Sequence, residues 1–282
     1  MSTTASWPAA YSALRKGVHL AIRCDVLKKT YSVSNPLLLP SSAYEKEIRA
    51  ETHGVSHATF NEEVVTNYLK ENGFDTELTH LNDAGMYLLA VTSPSGGWHK
   101  GSHMSEISVN GISYRAGHVD KKGCEFFWSP SHTHPVASIK TGLSEVYITN
   151  CPLAPSTYHE LFLKGMSIAG EFEPEKTSTK ADFWGVTYPL AFVEDTPEIP
   201  ELDETTTIEN THIKGYAQRN RLNLTWSGLS NESPSKESPV KMTRDHGNTL
   251  VINQPFLLIF KRQWVSVPDL VAHVTEEDWK QV

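Results

Sequence analysis

The stretch from His118 to Val136, HVDKKGCEFFWSPSHTHPV, gathers three histidines, an aspartate and a cysteine among aromatics and two prolines. His132 and His134 stand two residues apart. On a strand such residues face one side, so both imidazoles would reach one ion about 2 Å from each nitrogen. Glu145 and His118, on neighbouring strand-like runs, are the expected further ligands, or the catalytic groups that move a proton beside the metal. Imidazoles and a carboxylate around an open position suit a divalent transition metal such as Zn, Fe, Mn or Ni. Such an ion polarises a carbonyl as a Lewis acid. The competing reading of the same residues is a polar loop, because Pro130 and Pro135 punctuate them. His99 and His103 have helical spacing, but Gly96, Gly97 and Gly101 argue for a loop there.

Other chemistries find less support. Cys24, Cys124 and Cys151 are odd in number and widely spaced, which fits reduced thiols better than a disulfide framework. Cys124 and Cys151 sit in apolar runs and read as core residues. The chain has no G-x-S-x-G elbow, P-loop, G-x-G-x-x-G or C-x-x-C.

The 282 residues carry a formal charge of -8, with no long basic run. Broad binding to nucleic acid or anionic membrane needs a basic face and is not expected. The acidic run from Glu194 to Glu209 reads as a solvated loop. The first residues show no apolar signal-peptide core, so a cytoplasmic location is the expectation. The apolar run Pro255–Phe260 is far too short for a membrane helix. Sequons at Asn223 and Asn231 carry no weight in that compartment. Gly101–Met104, GSHM, matches a common cloning scar; inside the chain it reads as coincidence, with a fusion joint as the alternative.

The elements that must position these residues change in texture along the chain. Ala9–Lys16 and Ser41–Ala50 read as helices and Val18–Val26 as a strand. Phe60–Asn72 is the best helix: Thr59 and Glu62 form a capping box, apolar residues fall on one face, and Gly73 ends it. Phe74–Leu81 and Met86–Thr92 read as a hairpin around Asn82–Gly85. After Ser93 short strand-like runs follow one another: SEISV, ISYRA, CEFFW, EVYIT, FWGVT, LAFVE, LNLTW, LVIN and FLLIF. Asn110-Gly111 is a two-residue hairpin signal. Ser227–Ser238 reads as an exposed loop and Pro268–Lys280 as a short C-terminal helix. The fold class is therefore α+β, predominantly antiparallel β: a sandwich or cupin-like barrel preceded by a mixed helix and strand region. Residues 1–95 form the mixed region and 96–282 the β-rich region, or the two make one continuous domain.

Val109–Asp120, VNGISYRAGHVD, resembles a turn-and-strand segment of the two-cupin uronate isomerases of the 5-keto-4-deoxyuronate isomerase type, through Val109, Gly111, Tyr114, Gly117, His118 and Asp120. Asn150–Tyr158 is similar to the end of the same cupin half. The resemblance implies a cupin and isomerase chemistry on a sugar acid. The family's metal site, an H-x-H closely followed by Glu in the later cupin, has no counterpart here. Leu250–Arg262 is also similar to the C-terminal hairpin of serpins. The small-residue hinge needed for loop insertion is missing and the chain is short for that fold, so this segment reads as an ordinary buried hairpin.

Two functions from different classes follow. One is a metal-dependent cupin-like enzyme performing isomerase-type proton transfer on a small polar or sugar-acid substrate, with a homo-oligomer compatible. The other is a non-enzymatic β-rich protein that binds a protein partner, joins an assembly or acts on membranes as a pore. The aromatic content, with seven tryptophans, motivates the second.

Overall fold

The computed structural model describes residues 3–5, 54–59, 67, 70–71, 86–92, 95–142, 144–156, 158–170, 181–195, 207–208, 211–230, 248–262, 268 and 270–282. The helices expected at Ala9–Lys16 and Ser41–Ala50, and the strands at Val18–Val26 and Phe74–Leu81, lie outside them. Within Phe60–Asn72, residues 67, 70 and 71 are helical.

The most buried strands carry the longest apolar runs. β16 (Phe256–Arg262) lies between β9 (Ser144–Asn150) and β17 (Leu270–Val274) in a six-stranded antiparallel sheet. The sheet continues through β8 (Pro135–Lys140) to β7 (Cys124–Trp128) on one side and to β1 (Thr3–Ala5) on the other. Leu257, Leu258, Ile259, Phe260, Val271 and Ala272 are all fully buried. Alternation is lost because both faces are covered. On one face Val146, Ile148, Leu258, Phe260 and Ala272 join Tyr114, Ala116, Val119 and Tyr188 in one core. On the other lies helix α1 (Tyr158–Gly170), which packs on β1, β16 and β17. The approach there is close: a Cβ on Gly165 would stand 2.4 Å from a Val271 methyl.

Tyr114, Ala116, Val119 and Tyr188 belong to a four-stranded sheet. Its order is β15 (Leu250–Val251), β10 (Gly185–Pro189), β6 (Ile112–Asp120), β5 (Ser102–Val109). The β5–β6 hairpin closes at Asn110 and Gly111, with φ of 52 and 81 as a primed two-residue turn requires. Ser102–Met104 pair residue for residue with β6, so the GSHM tetrapeptide runs into an integral strand.

The third sheet runs β2 (Gly54–Thr59), β3 (Met86–Thr92), β13 (Thr211–Thr225), β14 (Gly228–Ser230), β4 (Gly96–Gly97). β11 (Ala191–Asp195) and β12 (Thr207–Ile208) also pair with β13. β3 and β13 are parallel, from Met86 against Ile213 to Thr92 against Asn220. The chain divides into two compact units, one of Met1–Ser6, Ser93–Asp195 and Arg221–Val282, the other of Trp7–Thr92 and Thr196–Asn220. The division falls inside β13.

Several expectations are corrected. The cupin-like barrel and sandwich are replaced by three open sheets with a helix against one of them. The six-stranded sheet ends in β1 and β7, which do not pair to close it. Pro268–Lys280 is not a helix: Leu270–Val274 is a strand buried at every residue, followed by one 3-10 turn at Glu276–Asp278. A short continuous apolar run does not separate buried strand from buried helix, and here the β16 ladder decides. The first part of Ser227–Ser238 is not an exposed loop, because Gly228, at φ 147, and Leu229 are buried in β14; residues 231–238 lie outside the description. Helix α1 was not expected; its signal is Glu160, whose carboxylate accepts from the Ser156 N–H at 2.9 Å and hydroxyl at 2.8 Å.

Gly165→Ala should destabilise the protein by about 1–3 kcal/mol, because α1 must move off Val271. Gly142→Ala, where nothing lies within 4 Å of the added methyl, should be near neutral. Denaturant melts of both variants check the contrast.

Candidate functional site

His132 belongs to a turn, not a strand. Ser129 accepts from the Ser131 N–H through its hydroxyl and from the His132 N–H through its carbonyl, and β8 begins only at Pro135. The two rings of the H-x-H therefore do not share a strand face; their centroids lie 5.6 Å apart, tilted by 54°. The His132 Nε2 hydrogen points to the Asn150 carbonyl (2.9 Å) and the Thr149 hydroxyl oxygen (3.0 Å). Thr149 in turn donates to the Pro135 carbonyl.

Glu145 lies at the opposite end of β9 from these partners, about 13 Å from Thr149 at the rise of a strand. It accepts a 2.6 Å hydrogen bond from Tyr147, whose hydroxyl is raised above its usual range by burial and then by the Glu145 charge. Lys140 and Lys261 stand opposite Glu145 on the adjacent strands.

His118 is in the other sheet of the same unit. Its Nδ1 lies 2.9 Å from the Thr187 hydroxyl and its Nε2 3.3 Å from the Asp120 carboxylate. Its ring stacks on His103, directly opposite on β5, with centroids 4.7 Å apart. Gly185 makes room, since a Cβ there would meet Nε2 at 2.6 Å. The structure thus brings His132 and His134 near each other, and places Glu145 and His118 elsewhere. Among the described residues no group of three or more His, Cys, Asp or Glu side chains could hold a metal ion, which corrects the metal-binding expectation.

The two described thiols, Cys124 and Cys151, are both buried. Burial, and then the Asp120 charge, push Cys124 up to about 12, so it is a neutral thiol. Cys151 is 1% exposed and its Sγ contacts the Leu153 carbonyl and, at 3.4 Å, the Lys164 ammonium.

A further polar cluster is one that sequence reading left scattered. His273, the fourth of the five residues of β17 and 1% exposed, points Nε2 at the Cys151 carbonyl, 2.8 Å away. The consecutive carbonyls of Asn150 and Cys151 thus receive two imidazoles from separate elements, with Lys164 of α1 beside them. Both histidines are held below their ordinary value, first by burial; the carbonyl contacts oppose this, and Lys164 reinforces it. Among the described residues His273 Nδ1 and Asn150 Oδ1 are buried without a hydrogen-bond partner. The sequence offers His273 only as one of the scattered histidines of the later half, with His212 and His246, which is why spacing does not group it into a site.

A second polar chain fixes the end of β13. The Trp98 indole donates to the Tyr188 hydroxyl at 2.6 Å, and that hydroxyl donates to the Thr225 carbonyl at 3.1 Å. Gly117 lets the Tyr188 hydroxyl approach. There the chain turns at Trp226 and Ser227 into β14.

Removing the His132 ring leaves the Asn150 carbonyl without this donor. His132→Ala should lower stability by about 1–2 kcal/mol, and His134→Ala by less than about 0.5 kcal/mol, in urea melts.

No family model and no curated protein sequence matches the chain. Solved structures do. A serpin of the trematode Schistosoma haematobium aligns over 97% of this chain and 93% of its own, with TM-score 0.56 and 12% identity. Thyroxine-binding globulin in complex with thyroxine aligns over 97% and 92%, with TM-score 0.55 and 9% identity. Mouse protein-Z dependent protease inhibitor aligns over 97% and 90%, with TM-score 0.54 and 8% identity. The resemblance to two-cupin uronate isomerases is overturned: it rested on a hairpin turn and strand at Val109–Asp120 and on Asn150–Tyr158, mostly turn chemistry that unrelated β folds share, and the fold of this chain is that of the serpins.

Proposed function

We propose that this chain is a non-enzymatic binding protein of serpin architecture that works without inserting a loop into its sheet. The metal-dependent isomerase reading is corrected by the fold and by the dispersal of His118, His132 and Glu145. The assembly and pore-forming readings are corrected by the same fold. Among the described residues no helix is long and apolar enough to cross a membrane.

The neighbours supply two kinds of binding, to a protease and to thyroxine, by the names they carry. Serpin inhibition works by inserting the reactive loop as a new strand into a sheet. The observation that carries the present reading is the sequence of residues 231–247, NESPSKESPVKMTRDHG, between β14 and residue 248. Pro234 and Pro239 have no N–H to donate to a ladder on either side. Six acidic or basic residues accompany them: Glu232, Lys236, Glu237, Lys241, Arg244 and Asp245. No run of small residues precedes them. The pairing supports the same conclusion, because β3 and β13 are already hydrogen-bonded to each other and β13 turns straight back into β14. The occupant of this binding function is a protein partner or a small molecule.

Incubation with trypsin-like proteases tests the reading. Cleavage within residues 231–247 should yield no complex that survives SDS, and should raise the melting temperature by no more than about 5 °C, a shift of ordinary single-site size. An SDS-stable complex, or a much larger rise from released strain, would overturn it.

A further inference from the structure

We propose that His273 is an acid-released latch that fastens the exit of β9 to β17. Its place in the fold is the argument. The Cys151 carbonyl only accepts, so His273 Nε2 must carry the hydrogen. The ring is 1% exposed and Nδ1 has no partner among the described residues. A proton arriving at Nδ1 would create a buried charge with an unmet donor, a state that buried polar groups avoid.

The charged and titratable neighbours come from each element around it. After burial, the Cys151 carbonyl favours protonation, Lys164 on α1 opposes it, Asp278 of the 3-10 turn favours it and the terminal amino group opposes it, in falling order. Thr3 of β1 and Leu257 of β16, the flanking positions in the sheet, carry no charge. His273 is held below its ordinary value, first by burial. The latched form is thus neutral, and the open form takes up a proton once the pH falls below about 6.5. Latching is at full strength above that value and weakens as the pH falls toward the latched form's own value.

What the latch holds is next to a hinge-like stretch. The Cys151 N–H donates to the Pro255 carbonyl at 2.6 Å, so strand pairing and latch meet at one residue. Pro152, Leu153 and Ala154 follow, all exposed, with Leu153 at 81%, and then α1 begins. Acid release would free this connection and loosen the seat of α1 on the sheet, while the β9–β16 ladder stays paired.

Amide hydrogen exchange of the intact protein at pH 7.5 and 5.0, corrected for the intrinsic rate, tests the latch. Protection of the Cys151 amide should fall by up to about 30-fold, the ratio set by an open-state value near 6.5. His273→Gln, which keeps a donor but does not titrate, should hold the same protection at both pH values. Lys164→Gln should make the loss at pH 5.0 smaller than in the wild-type chain, because removing a like charge brings the latched form's value closer to the open form's. Unchanged protection in the wild-type chain, or an equal loss in His273→Gln, would overturn the proposal. If His273→Gln does not fold, Lys164→Gln decides: a loss equal to or larger than that of the wild-type chain overturns it.

Discussion

The rest of the structure depends on the ladder between β9 and β16, in which seven residue pairs run from Phe256 against Asn150 to Arg262 against Ser144. Both faces of this ladder are covered, by the four-stranded sheet's side chains on one and by α1 on the other. Double coverage forces the strands to be apolar throughout, which is why Phe256–Phe260 and Leu270–Val274 show no alternation. It also makes polar residues in these strands costly unless they are paired. Ser144, Thr149, Asn150 and His273 are the buried exceptions, and the last three lie at one end of the sheet, where Asn150 and Cys151 present their carbonyls to two histidines. The polar cluster is the rim of the core rather than a separate invention.

The same constraint accounts for the dispersal of the histidines that the sequence grouped into one metal site. A histidine that serves the core spends its nitrogen on a carbonyl, as His132 and His273 do. His118 is wedged between Thr187 and Asp120 with Gly185 against its ring. Each ring is held by hydrogen-bonding neighbours inside the fold.

Much of the strand content was legible in the sequence because it rests on local signals. Asn110-Gly111 specified the β5–β6 hairpin, and Met86–Thr92 was bounded by turn residues on its N-terminal side. Nearly all the short runs after Ser93 became strands. The layout of sheets was not legible, because it depends on pairings between residues far apart: β1 meets β17 across the whole chain, and β3 meets β13 across more than a hundred residues. The metal expectation failed for a local reason too. His132-Thr133-His134 was placed on a strand by spacing alone, whereas Ser129 and Ser131 build a turn there through side-chain hydrogen bonds that periodicity does not register. The likeness of Leu250–Arg262 to a serpin hairpin pointed to the right fold but was read as generic, since an apolar hairpin of that length suits many sheets.

The central claim is that the β3–β13 ladder is a closed pair that takes up no further strand. The most direct measurement is amide exchange of Met86–Thr92 and 213–220 in the presence of a synthetic peptide of residues 231–247 in excess. The account predicts unchanged exchange on both strands and an unchanged melting temperature. A peptide that binds between them, altering protection along both strands and raising the melting temperature, would contradict it.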